Sequence, residues 1–275
     1  MGNTIQITLK GKVLKEVNVT ETNLDLSFHK IVDIEQIRGF DTLQKLRSLN
    51  LSNNLITEIK NLEHLVNLHY LYLNNNQIAE IKGLDALANL HILDLRDNQI
   101  PEIKGIRALV KLRDLKLSGN RIAEIKGLDT LVNLRLLYLD DNKITEIKGL
   151  DALVGLQDLN LEDNQITEIE GLDTLVWLQS LSLGNNQISE IKGLGALKAL
   201  GYLTINNNQI PKSLVDELGG TSHKAGYDPN DPDDFDDYGD NDNTDEEEDE
   251  DSEGSWISNP RAFVAYCAKK RELVK

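Results

Sequence analysis

The chain has 275 residues, of which 40% are hydrophobic but only 5% aromatic, so a core built from it is aliphatic, dominated by Leu and Ile. A single cysteine, Cys267, excludes an internal disulfide framework, and no run of about 18 consecutive apolar residues is present to cross a bilayer. The formal net charge of −17 is unevenly spread: sixteen Asp or Glu and no Lys or Arg fall between Asp228 and Glu253, five Lys or Arg and one Glu fall between Gly254 and Lys275, and residues 1–227 carry a balance of −5.

The opening MGNTIQITLKGK lacks the apolar run of a signal peptide, and Gln6 stands where a myristoylation signal starting at Gly2 needs Ser or Thr. Asn18-Val-Thr20 and Asn50-Leu-Ser52 fit the glycosylation pattern, but without a secretory signal they read as chance matches. A cytoplasmic protein is expected, with the nucleus as the alternative in a eukaryote, and a monomer. Ile5, Ile7 and Leu9 alternate with polar residues, Lys10-Gly11-Lys12 supplies a turn, and Val17 and Val19 alternate again, which predicts a β-hairpin over residues 1–20. A stack of repeats has an open apolar end, so this hairpin is expected to be its cap.

Residues 21–45 form a degenerate first unit, with Leu24, Leu26, Ile31, Ile34, Ile37, Phe40 and Leu43 in place and His29 where later units have asparagine. From Leu46 the pattern is strict. Leu46, Leu68, Leu90, Leu112, Leu134, Leu156, Leu178 and Leu200 each open a unit of 22 residues with the template LxxLxLxxNxIxxIxxLxxLxx. The Leu-x-Leu step has period two and predicts a short strand with its leucines inward. The asparagine, Asn54 through Asn208, offers two donors and an acceptor, and reads as a buried structural ladder satisfying backbone groups. Ile78, Ile81, Leu84 and Leu87 recur every third position, which favours 3₁₀ or extended turns over an α-helix. Nine units at about 4.8 Å spacing make a parallel sheet roughly 40 Å long on the inside of a curve.

These residues resemble the leucine-rich-repeat family, specifically its 22-residue class found in a phosphatase-1 regulatory subunit and in bacterial internalins. The resemblance covers about residues 21–218, with regular repeats over 46–199 and a terminal unit at 200–218. It implies an α/β-type solenoid: a right-handed superhelix of about nine repeats with a parallel concave β-sheet and a 3₁₀ or extended convex side. It also implies protein binding on the concave side and no chemistry. The chain departs from internalins in lacking a secretion signal.

Strand residues turned away from the core are the best binding candidates, because the repeat does not dictate them. Tyr70, Tyr72, Ile92, Leu136 and Tyr138 make a semi-apolar patch, and Asp94, Asp114, Asp140, Asp158 and Glu162 an acidic middle. The expected partner-binding set is Tyr70, Tyr72, Asp94, Arg96, Asp114, Lys116, Leu136 and Tyr138, suited to a protein partner of basic character. Glu58 through Glu190 and Lys60 through Lys192 form two charged ladders, broken at Glu170, that read as mutually neutralising solvated charges. His69 and His91 occupy matching positions without a third ligand, and read as surface histidines. No phosphate loop, nucleophile elbow or CxxC is present, so no enzyme activity, catalytic residue, cofactor or metal is expected.

After Ile210-Pro211, Ser213–Leu218 predicts a short closing helix stopped by Gly219-Gly220. Residues 219–255 read as a disordered acidic tail without a calcium-loop pattern, since Gly239 follows Tyr238. A leucine-rich domain with an acidic tail also resembles the acidic leucine-rich nuclear phosphoproteins, which implies association with histones and phosphatases. Residues 256–275 depart from that family by adding a basic amphipathic helix, starting at Ser258-Asn259-Pro260 and expected either to dock on the acidic tail or concave middle, or to cover the last repeat. The leading expectation is a non-enzymatic interaction scaffold with no membrane or direct nucleic-acid ligand. Two alternatives stand beside it: an acidic-tailed carrier of basic proteins such as histones or ribosomal proteins, and a phosphatase regulatory subunit.

Overall fold

The computed structural model describes residues 4–18, 20–217, 220–222, 255–257 and 260–273. Strands β1 (Thr4–Leu9) and β2 (Lys12–Asn18) form an antiparallel hairpin whose turn places Lys10 and Gly11 at positive φ, with a bulge between Ile7 and Thr8. β3 (Asn23–Asp25) opens the parallel sheet, and β4 (Ile37–Arg38) returns to pair with the free edge of β1. Ile7 and Val17 are buried in the same cluster as the repeat leucines. The hairpin therefore closes the N-terminal end of the core, where the first coil would otherwise face water.

The sheet continues through β5 (Ser48–Asn50), β6 (Tyr70–Tyr72), β7 (Ile92–Asp94), β8 (Asp114–Lys116), β9 (Leu136–Tyr138), β10 (Asp158–Asn160), β11 (Ser180–Ser182) and β12 (Tyr202–Thr204). Each strand lies parallel to the next with equivalent residues aligned, as in Leu71 beside Leu93 and Leu93 beside Leu115. From Leu46 to Leu203 no core leucine or isoleucine is more than 1% exposed. Leucine therefore stacks on leucine along the whole solenoid, which is the driving force a single coil lacks.

The asparagine ladder connects neighbouring coils. Asn120 donates through Nδ2 to the carbonyls of Leu95, Leu117 and Ser118, and its Oδ1 accepts the backbone N–H of Ile100 at 3.0 Å. Asn142 donates to the same Leu117 carbonyl from the other side. In the degenerate first coil His29 points its ring outward, and Asn54 of the next coil takes the N–H groups of His29 and Ile31. The residue before each asparagine sits in the left-handed region, at φ of 50–64°, and is Asn, Asp or Gly in every coil from Asn53 to Asn207, the residue types that tolerate it.

The return half of each coil is a run of turns. Leu87 N–H donates to the Leu84 carbonyl and Leu90 N–H to Leu87, both spanning three residues. Two short 3₁₀ helices appear in the first coil, Ile34–Gln36, capped by the Asp33 carboxylate, and Phe40–Thr42. Gly149 lies at φ 72° against the preceding coil, where a Cβ would come within 2.5 Å of the Ile125 carbonyl oxygen. Glycine at this column lets successive coils approach.

The C-terminal end is where structure and expectation part. Helix α1 (Lys212–Glu217) follows the last strand, then β13 (Gly220–Ser222), β14 (Ser255–Ile257) and α2 (Pro260–Leu273). β14 pairs antiparallel with β12 through Thr204 and Trp256, and β13 pairs with β14, bringing Ser222 opposite Ser255. Phe263, Val264 and Cys267 of α2 are buried in the common core, and the Ala268 backbone lies 3.2 Å from where a Cβ on Gly195 would sit. Trp256, within the expected 256–275 segment but ahead of its helix start, is in a strand, and of the two placements expected for the basic helix the structure shows the one that covers the end of the stack. The expected disorder of the acidic run falls on residues 223–254, outside the described residues. Its two flanks are hydrogen-bonded to each other, so by connectivity it is an insertion between β13 and β14 rather than a tail.

Candidate interaction surface

Alternation places the middle residue of each strand in the core and its two neighbours on the open face of the sheet. Six of the expected residues, Tyr72, Asp94, Arg96, Asp114, Lys116 and Leu136, line one depression of about 420 Å³ together with Asn50, Ser52, Asn74 and Ile92. Tyr70 stands beside it, 39% exposed, and Tyr138 lies beneath the Lys116 ammonium, whose nitrogen is 5.9 Å from the ring centroid. That distance is within cation–π range, and it holds Lys116 against the floor of the face.

The acids on this face do not stand free as the sequence suggested. Asp94 is buried: the Arg96 guanidinium donates through Nε to both carboxylate oxygens at 3.0 and 3.1 Å and through Nη2 to Oδ2 at 2.7 Å, and the Arg96 backbone N–H adds a fourth bond. With its charge spent internally, Asp94 serves to fix Arg96 rather than to meet a ligand. Asp140 accepts from the Ser118 hydroxyl at 2.6 Å, and Glu162 from Thr204 at 2.8 Å, across two coils. Asp158 has its pKa raised by burial, opposed by hydrogen bonds from Ser180 and Tyr138. Burial also raises Tyr72, with the charge of Asp94 next in effect, and pushes Tyr202 up to about 12, so both phenols are neutral donors at neutral pH.

Asp114 is held above the ordinary carboxylate value by burial, against the pull of Lys116, Arg113 and His91. The folded state therefore binds this proton more tightly than the unfolded chain. That penalises folding once pH rises above the unfolded pKa, and the penalty is complete above the folded pKa. Asp114→Asn is expected to raise the urea midpoint at pH 7 relative to the parent, with the gain vanishing below the ordinary pKa of 3.8, where both side chains are neutral. A midpoint difference independent of pH would contradict this assignment.

Two features lie off this face. Along one flank the lysines bridge neighbouring coils: Lys104 contacts Glu80 at 3.0 Å and Glu102 at 3.7 Å, and Lys126 contacts Glu102 at 2.9 Å and Glu124 at 3.2 Å. Glu170 interrupts the series, after which Lys192 returns to Glu168 at 2.7 Å. These pairs are exposed and neutralise each other, so the flank presents no anion-binding stripe. On the opposite flank, just before each strand, stand Arg47, His69, His91, Arg113 and Arg135, with the His69 and His91 rings stacked at 4.9 Å. Reading the repeat by columns one position before the strand would have found this series, which the template hides because it leaves that position open. His91 is lowered by burial and by the nearby charges of His69, Arg113 and Lys111. Among the described residues no group of three or more His, Cys, Asp or Glu could hold a metal ion, and no helix is long and apolar enough to cross a membrane.

The family model for Leucine Rich repeats (2 copies) matches residues 44–89, 88–130, 132–174 and 176–219, more than half of the chain. No curated protein matches. Among solved structures, internalin InlF from Listeria monocytogenes str. 4b F2365 is 28% identical with a TM-score of 0.62 over 76% of this chain and 69% of that one. TLR13 in complex with ssRNA13 is 28% identical with a TM-score of 0.54, covering 62% of this chain and 27% of that one. The ectodomain of the Arabidopsis thaliana receptor kinase GASSHO1/SCHENGEN3, in complex with CASPARIAN STRIP INTEGRITY FACTOR 2, is 26% identical with a TM-score of 0.54, covering 64% of this chain and 23% of that one.

Proposed function

The chain belongs to the leucine-rich-repeat family, and from that premise we propose that it is a non-enzymatic scaffold holding a protein partner on the open face of its parallel sheet. The observation that carries the reading is the depression built from successive strands by residues the repeat does not require. Tyr72, Ile92 and Leu136 bring apolar surface there, beside the ordered charges of Arg96, Asp114 and Lys116. Aromatic and aliphatic anchors inside a polar rim are what concentrate binding energy at an interface. The fit is to a protein segment with an apolar anchor and a basic residue that answers Asp114. Nucleic acid is disfavoured on this face because Asp114, Asp140, Asp158 and Glu162 would oppose its phosphates.

Affinity capture from native lysate, followed by titration of the retained protein, tests the proposal with three forms of the full-length chain. Tyr72→Ala combined with Leu136→Ala is expected to weaken binding by about 2 kcal/mol, roughly thirtyfold. A form with the sixteen acids of 228–253 changed to Asn or Gln is expected to keep its partner. The reverse pattern, with partner lost only from the second form and steep salt dependence in the parent, would make the protein a carrier of basic proteins through its acidic run. Deleting everything after Gly220 is not a usable comparison, because it also removes β14 and α2 from the end of the core.

A further inference from the structure

Three large apolar side chains face water together at the N-terminal end of the solenoid, on the turns that follow β3 and β5. Phe28 is 72% exposed, Val32 50% and Leu55 41%. Backbone bonds hold them in one patch. The Phe28 N–H donates to the Ser52 carbonyl at 3.3 Å, and the Leu55 N–H donates at 2.8 Å to the carbonyl of Ile31, next to Val32. Each of the three replaces what the repeat puts there. Phe28 occupies the position of Asn53 and Asn75, Leu55 that of Gln77 and Gln99, and Val32 that of Thr57 and Ala79. No later coil carries a large apolar residue at the Phe28 or Val32 position, and Leu55 is followed only by Gln, Arg or Lys.

Phe28 is also strained. Its φ of 57° lies in the left-handed region, where a Cβ crowds the next carbonyl oxygen and a bulky side chain is an outlier, and where the coils from Asn53 onward have Asn, Asp or Gly. A phenyl ring that is mostly in water returns little of that cost through packing, and strain of this kind collects where a ligand is held. The charge around the patch is one-sided. Asp25 accepts the Ser27 N–H at 2.8 Å, Asp33 accepts the Glu35 N–H and the Gln36 amide, each at 2.9 Å, and Glu35 lies 3.7 Å from Lys60. Those acids are engaged at home. Lys30, exposed between Phe28 and Val32 in the chain, is the charge that an incoming group meets.

We propose that Phe28, Val32 and Leu55 form a docking site for a polypeptide segment that presents an aliphatic or aromatic side chain next to a carboxylate. The apolar group covers Phe28 and Leu55, and the carboxylate meets Lys30. An aromatic anchor beside a single charge concentrates binding energy in a small area. The site lies past the ends of the strands rather than between them, outside the depression that holds Tyr72 and Leu136. This proposal stands independently of the partner assigned to that depression.

The test is selection of random peptides of about twelve residues, displayed on phage, against the immobilised full-length chain. Soluble full-length Phe28→Asn/Leu55→Gln in excess removes binders of every other surface. The surviving peptides are expected to carry an apolar residue adjacent to Asp or Glu, and to bind the parent at least about tenfold more tightly than Phe28→Asn. Their affinity is expected to fall in Lys30→Gln and to be unchanged in Tyr72→Ala/Leu136→Ala. Urea unfolding without peptide separates docking from a structural role. Phe28→Asn is expected to raise the midpoint by roughly 0.3 M, because Asn accepts the left-handed backbone that Phe resists. No surviving peptide, survivors indifferent to Lys30→Gln, or a midpoint that fails to rise overturns the proposal. So does self-association of the parent that Phe28→Asn abolishes in sedimentation, since the patch would then meet a second copy of this chain.

Discussion

Asn120→Ala is expected to lower the unfolding free energy by about 3 kcal/mol, and adding Asn142→Ala to cost more than the sum of the two single changes. The first figure comes mainly from one stranded donor, the Ile100 N–H, which has Asn120 Oδ1 as its partner, together with the space left by the amide. The carbonyls that Asn120 serves are partly protected, because Leu117 oxygen also accepts from Asn142 and Leu95 oxygen from Asn98. That protection ends in the double variant, where the buried Leu117 carbonyl loses both donors. A positive coupling energy in urea unfolding is therefore the signature of a shared ladder. Strictly additive effects would mean that each coil satisfies its own turn and that the asparagines do not link coils.

The second large effect lies at the C-terminal end of the stack. Phe263 is fully buried in the core cluster although some sixty residues separate it from the last repeat strand, so Phe263→Ala is expected to cost about 3–4 kcal/mol. Removing residues 255–275 altogether is expected to do more. It uncovers the final coil, and in a stack whose stability is a sum of neighbour contacts the loss propagates from the exposed end. Hydrogen exchange should show it as early opening of amides in residues 180–210 while residues 50–120 stay protected. Uniform acceleration along the chain, or unchanged exchange, would show that α2 is not a cap. Neutralising the acidic run should leave this pattern untouched, which separates the covering role of α2 from anything the acids do.

The contrast between the asparagine ladder and the C-terminal cap shows how much of the molecule could be read in advance. The interval of 22 residues, the inward leucines and the asparagine column are dictated by local periodicity, and periodicity is visible in a string of letters. The depression on the sheet face was legible for the same reason, since outward strand positions follow once the inward ones are known. The state of its side chains was not. Asp94 and Asp114 look alike in the sequence, and what separates them is Arg96 folding back two residues to close on one carboxylate. The αL turn residues, Asn75 and Asp97 among them, explain a recurring Asn or Asp that the template does not account for. That α2 covers the last coil was one of the placements the sequence left open, whereas the pairing of β14 with β12 was hidden, because the two strands lie on either side of the long acidic insertion. Long-range pairing of a single short strand leaves no periodic trace.

The claim on which the functional account depends is that the partner sits on the open face of the sheet, and methyl NMR of the complex tests it directly. Ile92 and Leu136 place methyl groups in the depression, whereas Val66, Val110 and Val132 expose theirs in the return halves of the coils, outside that depression. With the captured partner added to saturation, the account predicts shifts and cross-relaxation to the partner at Ile92 and Leu136 and unchanged signals at the three valines. Perturbation confined to Val66, Val110 and Val132, with Ile92 and Leu136 unmoved, would contradict it.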